Sequence, residues 1–170
     1  MKTSRLKNYG KINRNNVLSF TWDNKKYKGF EGDTLASALL ANNIGVVGRS
    51  FKYHRPRGIF SSGVEESGAL VTVGLKDRRD PNVRATTQEL YDGLKASGQN
   101  AFPNVNFDLA GINNYLGRFF ASGFYYKTFM GIPPFEWGKG TAIWMFFEKF
   151  IRKAAGMGSA STLPDPDSYE

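Results

Sequence analysis

The 170-residue chain carries 23 Lys/Arg against 15 Asp/Glu, a net charge of +8, together with 14 Phe, 8 Tyr, 3 Trp and no cysteine. That much aromatic surface supports a packed core and argues against global disorder, and the length suits one domain with an appendage or two small domains. The missing cysteines exclude disulfides, thiolate metal sites, cysteine nucleophiles and thiolate-held iron–sulfur clusters.

No apolar run approaches the ~18–20 residues needed to cross a bilayer. The start, "MKTSRLKNYGKINRNN", is basic without an apolar stretch behind it, so it is not a secretory signal and a cytoplasmic location is expected. Residues 1–60 hold 12 Lys/Arg against 3 acids (+9), and residues 61–170 hold 11 against 12 (−1). The basic character therefore belongs to the first third and points to an anionic ligand or an acidic partner surface.

In chain order, "VLSFTWDNKKYKGF" (17–30) predicts a hairpin. Leu18, Phe20 and Trp22 alternate with polar residues on one strand, and Asp23, Asn24 and Lys25 supply the turn. "EGDTLASALLANNIG" predicts a short helix with Asp33 as N-cap, an apolar body of Leu35, Ala38, Leu39, Leu40 and Ile44, and Gly45 as the stop. Val46 and Val47 start a further strand. "ALVTVGL" (69–75) is β-branched and predicts another, a turn follows at 77–81, and "NVRATTQEL" can supply one more. A hairpin, a helix and further short strands make an α+β pattern in which one helix crosses one small sheet.

From about residue 100 the texture changes. Asp108 can cap "LAGINNYLGRFF", in which Ile112, Tyr115, Leu116, Phe119 and Phe120 fall on one helical face. "GIPPFEWGKG" is a connector. "TAIWMFFEKFIRKAAG" predicts a second helix with Thr141 as N-cap, Arg152 and Lys153 near its C-terminal dipole and Gly156 as the stop. "GFYYKTFM" and "AIWMFFEKF" carry more apolar surface than two helices can hide, so part of it is expected to cover the first domain or a partner. The tail "MGSASTLPDPDSYE" has linker composition, which leads to the expectation that a larger body continues past Glu170 or docks there as a separate chain.

"GDTLASALLANNIGVVGRSFKYHRPRGIF", followed by "RATTQELYDGL" and "FYYKTFM", resembles the N-terminal region of the alpha subunits of heterotetrameric sarcosine oxidases, from about residue 17 to the end. The resemblance implies an α+β, β-grasp domain like that of [2Fe–2S] ferredoxins. In cluster-bearing relatives "RPRGxF" is followed by cysteines spaced C-x4-C-x2-C, with a fourth in a "VRAC" context. Those positions fall here on Ser61, Glu66, Ala69 and Thr86, and none supplies a thiolate. The resemblance thus implies a cluster-free version that carries no electrons.

The implied organisation is a basic arm (1–16), a β-grasp domain (17–100), a helical extension (101–156) and a linker (157–170). The family continues into a dinucleotide-binding domain, whereas no G-x-G-x-x-G follows a strand here; Gly156-Met157-Gly158 follows a helix and lacks the third glycine. The chain is accordingly expected to be the N-terminal piece only, with no cofactor and no activity of its own. Its implied partners are the rest of the alpha subunit and the other subunits. The assembled enzyme, by resemblance, oxidatively demethylates sarcosine to glycine, formaldehyde and hydrogen peroxide. It uses FAD and FMN, binds NAD and passes one-carbon units to tetrahydrofolate.

Candidate site residues are few. Arg49, Lys52, His54, Arg55 and Arg57 crowd into "GRSFKYHRPRG", interleaved with Phe51 and Tyr53. They form an interface loop paired with acids such as Glu65 and Glu66, a phosphate-binding loop, or a single-strand nucleic-acid surface. A general base needs an orienting partner and a nucleophile or substrate within reach, and four cations close in sequence disfavour the charged form of His54, so a structural hydrogen bond is expected of it. Tyr125, Tyr126 and Lys127 are either packing, interface or the edge of a cofactor pocket. Glu65 and Glu66 point apart in extended chain, Ser61-Ser62-Gly63 lacks the strand–elbow–helix context of a hydrolase nucleophile, and no His/Asp/Glu cluster has metal-ligand spacing. No catalytic constellation is present. The alternative function is a stand-alone basic module binding RNA or single-stranded DNA, which accounts for the basic first third but not for the aromatic second half.

Overall fold

The computed structural model describes residues 3–75, 78–119 and 141–154. Strand β1 (Asn13–Trp22) pairs antiparallel with β2 (Lys25–Glu31) through Trp22↔Lys25. The two residues between them, Asp23 and Asn24, have φ of 45° and 65°, the pair of positive angles a type I′ turn needs. Asp and Asn tolerate that region because their short polar side chains bond locally. Helix α1 (Leu35–Ala41) follows. A two-stranded ribbon comes next, β3 (Gly48–Arg49) with β4 (Pro56–Arg57), and then β5 (Leu70–Val73), β6 (Asp80–Arg84) and β7 (Lys95–Gly98).

The main sheet runs β2-β1-β7-β5-β6, with β1 and β7 parallel and the other pairs antiparallel. A mixed five-stranded sheet with one helix packed on it is the α+β architecture the sequence predicts. Phe20 and Trp22 of β1, Leu35, Ala38 and Leu39 of α1, Val71 of β5 and Leu90 and Leu94 before β7 form the buried core. Each large aliphatic side chain there contributes ~1.5–3 kcal/mol.

The ends of α1 differ from expectation. Thr34, not Asp33, is the N-cap: its hydroxyl accepts from the Ser37 N–H while the Ser37 hydroxyl accepts from the Thr34 N–H, a closed capping box. Asp33 is freed for another task. Only 1% exposed, it accepts two bonds from the Arg5 guanidinium at 2.9 and 2.7 Å, one from the Phe30 N–H and one from the Ser37 hydroxyl. The N-terminal segment is thereby tied to the helix start, and β1 already begins within residues 1–16. At the other end Asn43 (φ 61°), not Gly45, turns the chain. Its N–H donates to Leu40 and that of Ile44 to Leu39, which is a Schellman closure.

The strand expected at Val46 forms two residues later, at Gly48–Arg49. The expected α-helix after Asp108 is instead a 3₁₀ turn (Leu109–Asn114), then a second short one (Gly117–Phe119). Asp108 caps the first, accepting from the Ala110 N–H. Its would-be apolar face is not buried: Ile112, Tyr115, Leu116 and Phe119 are all exposed. Phe120 lies outside the described residues. A single helix, α2 (Thr141–Ala154), spans the second predicted helix and carries a Glu148–Arg152 ion pair one turn apart. The proposed capping by Thr141 and the stop at Gly156 fall outside what is described.

Candidate functional site

The two candidate regions are consecutive: the basic turn between β3 and β4, and the loop that leads from β4 to β5. The turn closes on itself. The Ser50 N–H donates to the Arg55 carbonyl, and the His54 N–H, at φ 53°, donates to the Ser50 carbonyl.

Arg49 and His54 turn inward, whereas Arg55 and Arg57 are exposed. Arg49 donates from Nε and Nη2 to the Val105 carbonyl and from Nη1 to the His54 carbonyl. His54 Nδ1 sits 2.7 Å from Asp108 Oδ2, a carboxylate with no exposed side-chain area. Asp108 also accepts from the Phe102 and Ala110 N–H groups. Arg55 lies 4.8 Å above the Tyr53 ring and donates to Asn114 Oδ1, and Lys52 covers the same ring at 5.1 Å. The turn is therefore the strap that holds segment 100–114 against the sheet.

Two expectations are corrected. The arginines do not pair with Glu65 or Glu66; the acid that faces the turn is Asp108, against His54. Tyr53 already carries Lys52 and Arg55 of its own turn over its ring, where a stacking base would lie. Arg57 is exposed at a shallow cleft of about 190 Å³ lined also by Arg49, Phe51, Ser67, Asn82 and Gln99. That is below the ~300–1,000 Å³ usual for small-molecule pockets. Tyr125, Tyr126 and Lys127 lie outside the described residues.

The loop after β4 brings together the four positions that the resemblance assigns to cluster ligands. Glycines let it fold tightly: a Cβ on Gly68 would meet the Gly58 carbonyl at 2.6 Å and the Phe60 ring at 2.7 Å. Ala69 is fully buried and its carbonyl accepts from the Ala85 N–H, which brings strand β6 and Thr86 alongside. The Thr86 hydroxyl donates to the Gly63 carbonyl at 2.8 Å, and Arg84 Nε donates to the Glu66 carbonyl.

Glu66 itself is 2% exposed, and its carboxylate is turned back into its own loop. Oε2 accepts from the N–H groups of Phe60 (2.7 Å) and Ser61 (2.8 Å), and Oε1 from those of Gly68 and Ala69 (3.0 Å). The Ser61 hydroxyl adds a longer bond at 3.4 Å. Burial alone would raise the pKa of this acid. The N–H groups of Ser61, Gly68, Phe60 and Ala69 outweigh it and hold the value at about 2.

An iron–sulfur cluster does not fit these residues. The chain has no cysteine, the described residues hold no group of three metal-ligating side chains, and the loop's amides are already used by Glu66. The role of Glu66 escaped sequence reading because its partners are backbone amides, which every residue carries. His54 makes the structural hydrogen bond expected of it, but its partner and that of Arg49 are not legible for a similar reason: they are an acid and a carbonyl more than fifty residues away.

Comparison with known proteins gives this geometry a context. The 2Fe-2S iron-sulfur cluster binding domain family matches residues 15–101. The sarcosine oxidase subunit alpha of Rhizobium meliloti (strain 1021) is 54% identical over 170 residues, covering 100% of this chain and 16% of the relative. That of Corynebacterium sp. (strain U-96) is 48% identical over 90 residues, 51% of this chain and 9% of the relative. The chain thus spans a sixth or less of the length of these curated relatives. The crystal structure of L-proline dehydrogenase from P. horikoshii aligns with a TM-score of 0.42 and 28% identity over 51% of this chain and 16% of that one.

Proposed function

The chain belongs to the 2Fe-2S iron-sulfur cluster binding domain family, and from that premise we propose that it is a cluster-free member serving as a non-catalytic structural part of a sarcosine oxidase alpha subunit. The observation that carries this reading is the 54% identity to one such subunit along all 170 residues, including the part beyond the cluster domain. A stand-alone module has no reason to keep segment 102–119, whose Phe102, Phe107, Ile112 and Tyr115 face solvent. A domain that is one part of a larger assembly does.

In this reading the assembled enzyme oxidises sarcosine to glycine, with release of hydrogen peroxide and formaldehyde or transfer of the carbon to tetrahydrofolate. The flavins FAD and FMN, and NAD, are held by the rest of the complex. This chain supplies a rigid β-grasp platform and an apolar docking face. Arg49, His54 and Arg55 tie segment 105–114, which carries part of that face, to the basic turn. Residues 17–100 form the platform and 101–156 the extension. No observation favours the nucleic-acid alternative, and Arg49 is committed to the Val105 and His54 carbonyls.

The test is capture of the tagged chain from cells that express its natural partners, washed at low and then moderate salt. Retention of a flavoprotein through the salt step, with sarcosine-dependent hydrogen peroxide release in the eluate, is the expected result. Phosphate-backbone binding would weaken steeply over the same step. Nucleic acid at low salt and no flavoprotein at either would refute the proposal.

A further inference from the structure

The loop that leads from β4 to β5 is built to hold an anion. Four backbone N–H groups, from Phe60, Ser61, Gly68 and Ala69, point at one small volume from two sides of the loop. Convergent amides of this kind form the nests that bind phosphates and iron–sulfur clusters elsewhere. The chain belongs to a family defined by such a cluster, yet it has no thiolate to hold one. Removing an anionic group from a nest ordinarily leaves several donors buried without acceptors, each of which costs free energy. Here the Glu66 carboxylate accepts from all four.

We propose that Glu66 is a built-in replacement for the cluster: its carboxylate occupies the anion nest, satisfies the four amides and keeps the loop in its cofactor-bound shape. The position is one of the four that the resemblance assigns to cluster ligands, so a ligand to the anion has become the anion. Glu suits this better than Asp, because its longer chain lets one carboxylate reach amides on both sides of its own position, at 60 and 61 and at 68 and 69, whereas the shorter Asp keeps the charge but reaches fewer of them. The consequence is a platform whose shape depends on neither iron supply nor redox state. This holds whether or not the chain works in an amine-oxidising complex.

The test removes the internal anion and offers an external one. Glu66→Ala leaves the four donors empty, and its melting temperature is expected to fall by on the order of 10 °C. Sodium formate, a free carboxylate, is then expected to restore at least half of that loss in a saturable way, while sodium chloride at the same ionic strength restores less and formate leaves the parent unchanged. Glu66→Gln and Glu66→Asp separate charge from size: Asp keeps the charge and is expected to melt above Gln. Should Glu66→Ala fail to fold, the order of these two variants decides. In the unmodified chain the four amides are expected to exchange with deuterium at least about 100-fold more slowly than open loop amides. Equal effects of formate on parent and variant, a Gln variant as stable as the parent, or free exchange at those amides would overturn the proposal.

Discussion

At the scale of single residues, two buried carboxylates carry much of the local order, and each makes a separate prediction. Glu66 is held at about 2 in the folded chain, well below the ordinary Glu value. A depressed carboxylate contributes stability that is complete above its unfolded pKa of ~4.3 and is lost as pH falls through the folded value. The parent is therefore expected to lose melting temperature between about pH 4.5 and 2, and Glu66→Gln to start lower and fall less over the same window. Asp23 shifts the other way, raised by burial against the N–H groups of Gly98 and Val105 and the charge of Lys25. The difference between the parent and Glu66→Gln, measured by calorimetry across pH, isolates the Glu66 part. Asp33 is the second case: Arg5→Ala would leave it buried without its cation, although Phe30 and Ser37 still donate to it. A loss of about 2–3 kcal/mol in denaturant unfolding is expected, below the full cost of breaking a buried pair. A loss near zero would show that the N-terminal segment does not dock. Gly68→Ala tests the loop itself: the added methyl must displace the Gly58 carbonyl and the Phe60 ring, at a cost of about 1–3 kcal/mol.

The elements show why some of this was readable from sequence and some not. The hairpin was legible because Phe20 and Trp22 alternate on β1 and Asp-Asn is a local turn signal; both act over two to four residues. Helix α1 was legible in its apolar body but not in its caps, because Asp33 and Thr34 are both good capping types. The choice between them is made by Arg5, 28 residues away. The segment after Asp108 was misread as an α-helix. Its i, i+3, i+4 spacing looks like a buried helix face, but the apolar side chains point to solvent, and the anchor is the polar side of Asp108 facing His54. That arrangement makes a testable claim about the element. Asp108→Ala removes the acceptor for His54, Phe102 and Ala110 at once. A loss of about 2–4 kcal/mol is expected, with deuterium exchange rising across 100–119 while α1 stays protected. A uniform loss across the domain would contradict the strap role of the basic turn.

For the molecule as a whole, the balance of buried and exposed surface is the informative quantity. The sheet and α1 close a complete core, while Phe60, Phe102, Phe107, Tyr115 and Phe119 remain open, with Tyr115 84% exposed. Exposed aromatic side chains on a domain whose core is already closed fit the proposed contact with another body. The single measurement that bears most directly on the account is gentle purification of this chain from its native cells, reading intact masses, the visible spectrum and iron content of the peak that holds it. Flavin absorbance, no iron bound by this chain, and partners of a sarcosine oxidase in the same peak are expected. A colourless peak without flavoprotein, or an iron–sulfur spectrum arising from this chain, would contradict it.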